Sequence, residues 1–173
     1  MNCSALRQFR FSEADVTRAG GNESPIPKRF SSILRPLGWE ERQLNARLLV
    51  DEEEVSHDSH KVDYLKGRVA FDLEWNSKDQ TFDRDLYAFR AFFDYGKISL
   101  GILATRSNEL DPWIASLGEY TDKYGTKRNY KNQIWAGTTR MGKLLPRLQA
   151  GRNGGCPVLV FGITPKLLET GGK

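Results

Sequence analysis

A chain of 173 residues that is 39% hydrophobic and 28% charged has the size and composition of one globular domain, so a disordered or fibrous protein is excluded. The two cysteines, Cys3 and Cys156, provide neither a zinc-binding spacing nor a disulfide framework. No segment has the length of an apolar membrane span, and the first residues lack the apolar core of a signal peptide. We therefore expect a reduced, cytoplasmic protein with a single domain over residues 1–173.

Hydrophobic periodicity and turn residues predict alternating helices and strands along the chain. We predict a polar N-terminal arm over 1–24, a helix that begins at Ser24 and Pro25 and ends at Gly38, and a strand over 44–50. A solvated turn at 51–54 and a polar loop follow. The later elements are strands at about 61–66 and 68–76, a helix over 82–95, a strand over 98–105, a short helix over 110–117, a long polar loop over 119–137, a helix over 140–149 and a strand over 157–163. This order predicts the α/β (α+β) class, with a mixed central β-sheet flanked by helices.

A run of alternating apolar and polar residues over 68–78 places carboxylates on one face of a predicted strand, because strand side chains alternate. The polar face consists of Asp72, Glu74, Asn76 and Lys78. The turn at 66–67 brings Asp63, from the preceding strand, beside Asp72. Such a cluster of acids is able to hold a hard divalent cation, and Mg²⁺ placed in this way suits phosphodiester hydrolysis.

Two other interpretations of this region stay open. Alternating acidic and apolar residues are also typical of a half-exposed strand whose outer face is solvated. His57, His60 and Asp63 follow one another at three-residue intervals, which loosely resembles the spacing of metal ligands. Short polar loops often carry histidine by chance, however, so this spacing alone does not establish a ligand set.

Residues 120–155 form a basic block in a chain whose total net charge is only +4. The block has a net charge of +7, because eight cations stand against one acid, Asp122. The cations are Lys123, Lys127, Arg128, Lys131, Arg140, Lys143, Arg147 and Arg152. The aromatic residues among them are Tyr120, Tyr124, Tyr130 and Trp135. Cations interleaved with aromatic rings are typical of a surface that binds a polyanion. The alternative is a flexible, solvated surface loop.

Six segments, at residues 23–29, 62–63, 72–78, 82–86, 138–147 and 154–162, follow one another in a distinctive order. They read ESPIPKR, VD, DLEWNSK, FDRDL, TTRMGKLLPR and GGCPVLVFG. Together they resemble the BglII/BamHI-like family of type II restriction endonucleases, in the PD-(D/E)xK nuclease superfamily. The resemblance covers roughly residues 20–163 and is much more specific than a single pair of acids.

The resemblance implies a magnesium-dependent enzyme that cleaves double-stranded DNA as a homodimer and leaves 5′-phosphate ends. The first aspartate of the motif corresponds to Asp63, its second acid to Asp72 and its lysine position to Glu74. By this resemblance, Asp63, Asp72 and the carbonyl of Leu73 ligate Mg²⁺, and Glu74 orients or deprotonates the attacking water. Val62 replaces the proline of the motif, and Glu74 replaces the lysine, as this group of enzymes allows.

Further residues are expected to assist catalysis or bind DNA. Lys78 is expected to supply a positive charge at the catalytic site or to contact a backbone phosphate. The residues expected to bind DNA are Asn76, Lys127, Arg128, Lys131, Thr138, Thr139, Arg140 and Lys143. The alternative functions are a non-catalytic DNA-binding protein, or a repair or modification-dependent nuclease, on the same fold. The three intact acids argue against a non-catalytic protein.

Overall fold

A mixed five-stranded β-sheet forms the centre of the computed structural model. The structure describes residues 6–17, 24–122, 124–135 and 137–169, without the side chains at 56, 57 and 133–135. In sheet order the strands are β1 (Glu40–Val50), β2 (Glu53–Lys66), β3 (Val69–Glu74), β4 (Leu100–Arg106) and β7 (Val158–Ile163). The first three strands are antiparallel neighbours, and β3, β4 and β7 run parallel. The predicted mixed sheet is therefore confirmed.

Helices flank this sheet, as predicted. They are α1 (Glu13–Thr17), α2 (Pro25–Leu34), α3 (Thr81–Asp94), α4 (Asp111–Ser116), α5 (Tyr130–Trp135) and α6 (Met141–Gln149). Short 3₁₀ turns lie at Leu6–Gln8, Arg35–Leu37, Asn108–Leu110 and Pro165–Leu167. Among the described residues, no helix has the length and apolar character needed to cross a bilayer.

Apolar side chains cover both faces of the sheet and form two cores. On one face, the ring of Phe71 in β3 packs edge-on against Phe30 of α2, with ring centroids 6.1 Å apart. On the other face, Phe89 of α3 packs with Leu103 of β4. Gly101 of β4 lies directly beneath Phe89, and a Cβ atom there would collide with the ring. The missing side chain thus lets α3 lie close against the sheet.

The region before the first predicted acid differs from the prediction, because β2 begins at Glu53 and includes both His57 and His60. Only Asp51 and Glu52 form the turn between β1 and β2, with φ angles of 50° and 70°. The predicted loop is therefore wrong, since a polar, histidine-containing sequence gives no apolar alternation that marks a strand. The side chain of His57 lies outside the described residues.

The predicted long loop over 119–137 is a two-stranded hairpin followed by α5. Strands β5 (Glu119–Thr121) and β6 (Lys127–Asn129) pair in antiparallel fashion. The Asp122 carboxylate closes the turn, because it accepts hydrogen bonds from the N–H groups of Tyr124 and Thr126, both at 2.9 Å. Such local side-chain bonds stabilise a polar turn without an apolar pattern. Lys123 lies outside the described residues.

The N-terminal arm is only partly polar. Phe9 and Phe11 are fully buried in the core on the α2 side of the sheet. Phe11 also forms a parallel bridge with Leu168, which fastens the start of the described chain to its end. The prediction of a polar arm is therefore wrong at Phe9 and Phe11, whereas the other residues of 6–17 are exposed or half-buried.

Candidate active site

The two acids predicted to converge lie where β2 and β3 stop pairing. The ladder between these strands ends with Tyr64 opposite Phe71. Beyond it, the N–H of Asp63 donates to Oδ1 of Asp72 at 2.8 Å. The N–H of Leu73 donates to Oδ2 of Asp63 at 2.9 Å. Two carboxylates thus replace the ladder, which satisfies the backbone donors and fixes both acidic side chains.

A β-bulge in β2 accompanies this divergence. On β1 a single residue, Glu41, lies opposite both Asp63 and Tyr64. As a result Val62 and Tyr64 pack on opposite faces of the sheet, although they are two residues apart. Bulges of this kind bend the strand and redirect its side chains, and they are common beside active sites.

Asp72 and Glu74 lie on the face of β3 that α3 covers, together with His60 of β2 and Asp85 of α3. Their exposed fractions are 3% for Asp72, 6% for Glu74, 8% for His60 and 0% for Asp85. The Nε2 atom of His60 lies 3.5 Å from Oδ2 of Asp72 and 3.9 Å from Oδ1 of Asp85. The interpretation of a solvated outer face is therefore wrong.

Each of these four side chains carries a buried polar atom without a hydrogen-bond partner among the described residues. The atoms are Nε2 of His60, Oδ2 of Asp72, Oε2 of Glu74 and Oδ2 of Asp85. Leaving a buried polar atom unpaired costs about 1–3 kcal/mol, so a group of such atoms indicates a missing partner such as a shared proton, a water molecule or a metal ion. His60, Asp72 and Asp85 also each offer a ligand atom within 4.8 Å of the other two. The residues present therefore fit a divalent cation.

Burial and mutual repulsion raise the pKa values of three carboxyl groups. Desolvation raises the pKa of Asp85 to about 9, with further contributions from the charges of Asp72 and Glu74. Desolvation also raises the pKa of Glu74 to about 6. Asp63 keeps part of its surface in solvent, yet partial desolvation and the charge of Asp72 raise its pKa to about 6. The fold thus concentrates negative charge at the end of β3.

The predicted strand face is shorter than expected, because β3 ends at Glu74. Asn76 and Lys78 are exposed beyond it, and Lys78 forms an isolated backbone bridge with Thr138. The prediction that Lys78 shares the strand face of the acids is therefore wrong. The cation closest to these acids that the structure describes is Arg84 of α3, whose Nη2 lies 4.0 Å from Oε1 of Glu74.

Hydrogen bonds connect the segment before α6 to the segment after β3. The N–H of Thr139 donates to the carbonyl of Ser77 at 2.8 Å. The buried guanidinium of Arg106, at the end of β4, donates to Oγ1 of Thr138 at 2.5 Å and to the carbonyl of Thr139 at 3.0 Å. Thr139 is fully buried, so the prediction that it contacts DNA is wrong. It positions the segment instead.

Several cations of the basic block are paired with carboxylates inside the structure. The pairs are Arg140 with Asp111 at 3.3 Å, Lys143 with Asp79 at 3.4 Å, Arg128 with Asp122 at 3.0 Å, Arg147 with Asp83 at 3.0 Å, and Arg152 with Asp83. The charge that the block presents outward is therefore smaller than its sequence total. Lys127 and Lys131, on β6 and at the start of α5, are exposed.

Comparison with protein families identifies the family of the chain. The model of a family described as restriction endonuclease BglII/BglIII matches residues 3–163. The chain belongs to this family. Membership confirms the resemblance drawn from the sequence, together with the restriction endonuclease-like core. A comparison with curated proteins gave no match.

Membership in the restriction endonuclease family also establishes the kind of reaction. The chain is a type II site-specific deoxyribonuclease, so it binds DNA and cleaves its phosphodiester bonds. Enzymes of this kind typically use a divalent metal, and the acids beside β3 provide suitable ligands. The predicted function is confirmed at this level.

Sequence reasoning missed one member of the buried cluster, Asp85, and placed another, His60, in a polar loop instead of on β2. Asp85 lies three residues after Phe82 and next to Leu86, within the apolar stripe of α3, and an acid at such a position indicates a buried carboxyl group. His60 lies two residues before Val62, so a longer β2 would have placed both on one face. The first signal was readable in the sequence, whereas the second required the true start of β2.

The metal-free protein should lose stability as the pH rises from about 4 to about 9. A carboxyl group whose pKa is raised in the folded state binds its proton more tightly there than in the unfolded chain, so stability falls as the pH rises. The window extends from the ordinary pKa of 3.8 up to about 9 for Asp85, and from the ordinary pKa of 4.5 up to about 6 for Glu74. Calorimetry with excess chelator should show that the Tm falls by roughly 5 °C or more across this range.

The variant Asp85→Asn should flatten this pH dependence above about pH 6, because it removes the group that titrates highest. Asp94→Asn is the matched control, since Asp94 lies exposed at the other end of α3. A wild-type Tm that stays constant or rises over this range would contradict the raised pKa values.

Proposed function

We propose that this chain is a magnesium-dependent endonuclease that cleaves specific sites in double-stranded DNA and leaves 5′-phosphate and 3′-hydroxyl ends. The observation that carries this proposal is the pair of buried, unpaired carboxylate oxygens on Asp72 and Glu74, with Asp63 at the same divergent strand end. Oxygen ligands of this type suit Mg²⁺. The ion, when bound, lowers the pKa of a water molecule and offsets charge on the scissile phosphate.

The residues at the divergent strand end have two different roles, metal binding and activation of water. Asp63, Asp72 and the carbonyl of Leu73 would hold the ion. The strand N–H groups fix Asp63 and Asp72 through one oxygen each, so that both side chains are oriented before DNA arrives. Glu74 would orient the attacking water and accept its proton, and a pKa of about 6 keeps it largely ionised at neutral pH.

Contacts to DNA are proposed from the exposed and half-buried polar residues around this strand end. The residues proposed are Asn76, Lys78, Lys127, Arg128, Lys131, Thr138, Arg140 and Lys143. Residues 119–155 would thus serve as the DNA-binding part of a single nuclease domain, and a homodimer would present one site to each strand of the duplex. The cytoplasmic location expected from the sequence stays a prediction.

Asp63→Asn and Asp72→Asn should each lower cleavage by at least ~100-fold, because a metal ligand supplies several kcal/mol of transition-state stabilisation. The asparagine oxygen still accepts the strand N–H, so the fold and DNA binding should persist. The measurement is the conversion of mixed plasmid DNA with Mg²⁺ into discrete fragments on a gel, with Asp94→Asn as the control. Cleavage at wild-type rates in either variant would place the metal site elsewhere, and a continuous smear from the wild type would contradict sequence specificity.

Glu74→Ala should lose most of the activity if this carboxylate positions the attacking water. Glu74→Lys should also fail, although it restores the commoner motif, because the guanidinium of Arg84 lies only 4.0 Å from the Glu74 carboxylate and would repel a second cation. Single-turnover cleavage rates test both variants. Robust activity of Glu74→Ala would indicate that the metal-bound water acts without this carboxylate.

The triple variant Lys127→Ala, Arg128→Ala, Lys131→Ala should weaken DNA binding, because these side chains are exposed on the hairpin and α5. The slope of log K against log salt should decrease in magnitude by about 0.9 for each DNA phosphate that the variant no longer neutralises. The control is Arg68→Ala with Lys97→Ala, two exposed cations at the opposite end of β3 and β4. Unchanged affinity and slope in the triple variant would show that this hairpin does not touch DNA.

A further inference from the structure

We propose a second cation site, for a divalent transition-metal ion such as Mn²⁺, formed by His60, Asp72 and Asp85 on the α3 side of the sheet. Neither His60 nor Asp85 belongs to the nuclease motif. The site shares Asp72 with the proposed magnesium ligands but does not include Asp63 or Leu73. It is argued from the side chains alone, so it does not depend on the proposed function.

The three ligands come from three different elements, so closeness along the sequence does not explain why they meet. His60 lies on β2, Asp72 on β3 and Asp85 on α3. Their ligand atoms lie within 4.8 Å of one another, and His60 Nε2 lies 3.5 Å from Asp72 Oδ2. Ligands at about 2.1 Å from a metal are about 3.0–3.4 Å apart, so a small inward rotation of each side chain completes the site.

In both Asp72 and Asp85, one carboxylate oxygen accepts a hydrogen bond, and the other has no hydrogen-bond partner among the described residues. Oδ1 of Asp72 accepts from the N–H of Asp63 at 2.8 Å, and Oδ1 of Asp85 accepts from Arg84 at 3.1 Å. Oδ2 of both acids, and Nε2 of His60, are buried without a hydrogen-bond partner among the described residues. Metal ligands are usually oriented by such bonds to their other atoms. The unpaired atoms are therefore the ones expected to meet the ion.

The donor set determines which metal is preferred. An imidazole nitrogen with two carboxylates suits Mn²⁺, Co²⁺ or Zn²⁺, whereas Mg²⁺ prefers oxygen ligands and retains its water. The two sites should therefore differ in selectivity, and an excess of Mg²⁺ should not displace Mn²⁺ from His60. The competing explanation is a proton shared within the cluster, which requires no metal.

The test measures Mn²⁺ binding to the full-length, chelator-treated protein in excess Mg²⁺. Binding is detected as the loss of the free Mn²⁺ signal in electron paramagnetic resonance. The wild type should bind Mn²⁺, and His60→Ala and Asp85→Asn should each weaken this binding at least ~10-fold. Asp63→Asn is the matched control and should retain binding, because Asp63 is not a ligand of this site. Circular dichroism checks that each variant is folded.

A measurement on the unaltered protein keeps the proposal testable if a variant does not fold. The chain has two histidines, so nitrogen NMR of the imidazoles gives two sets of signals, which His57→Ala assigns. Substoichiometric Mn²⁺ in excess Mg²⁺ should broaden the Nε2 signal of His60 first. No Mn²⁺ binding, no selective broadening of His60, or binding that only Asp63→Asn abolishes would each overturn the proposal. DNA cleavage is not part of this test, so an inactive chain leaves its outcome unchanged.

Discussion

The exchange of hydrogen bonds between Asp63 and the strand that carries Asp72 is the constraint on which the site depends. β2 and β3 separate at this point, and separation would leave two part-buried backbone N–H groups without acceptors in the ladder. The carboxylates supply the acceptors at 2.8 and 2.9 Å. These hydrogen bonds connect the two strand ends and also fix the orientation of both carboxylate side chains. A substitution that removes both carboxylate oxygens therefore affects the fold as well as the chemistry. Asparagine separates the two effects, because its remaining oxygen still accepts the strand N–H while the negative charge is lost.

This arrangement concentrates negative charge, and the fold does not neutralise all of it. Asp72, Glu74 and Asp85 are buried together, and Arg84 is largely in solvent and contacts only the edge of the cluster. Burying like charges is costly unless a proton or a cation joins them. The raised pKa values of Glu74 and Asp85 are the consequence in the absence of metal. Metal binding and proton release at this site are therefore linked.

The pairing of Asp63 with Asp72 could be predicted because a short turn sets the register of a hairpin. Gly67 adopts a φ of 57° in that turn, and the register Tyr64 to Phe71 brings the two acids opposite each other one step later. The burial of Asp72 could not be predicted, because an alternating strand pattern does not reveal which helix covers its polar face. The bulge opposite Glu41 has no signature in the sequence either, since it arises from pairing between β1 and β2.

The surface charge of the basic block could not be predicted from the sequence either. Its acidic partners Asp79, Asp83 and Asp111 come from distant segments, so the count of cations along the chain overestimates the net charge on this part of the surface. The same folding that pairs these charges also connects the block to the acids. Arg106 joins the end of β4 to Thr138 and Thr139, and Thr139 bonds to Ser77 just beyond β3. The segment before α6 is therefore joined, through a backbone hydrogen bond and a buried guanidinium, to the ends of the two neighbouring strands, and one of these strands carries Glu74.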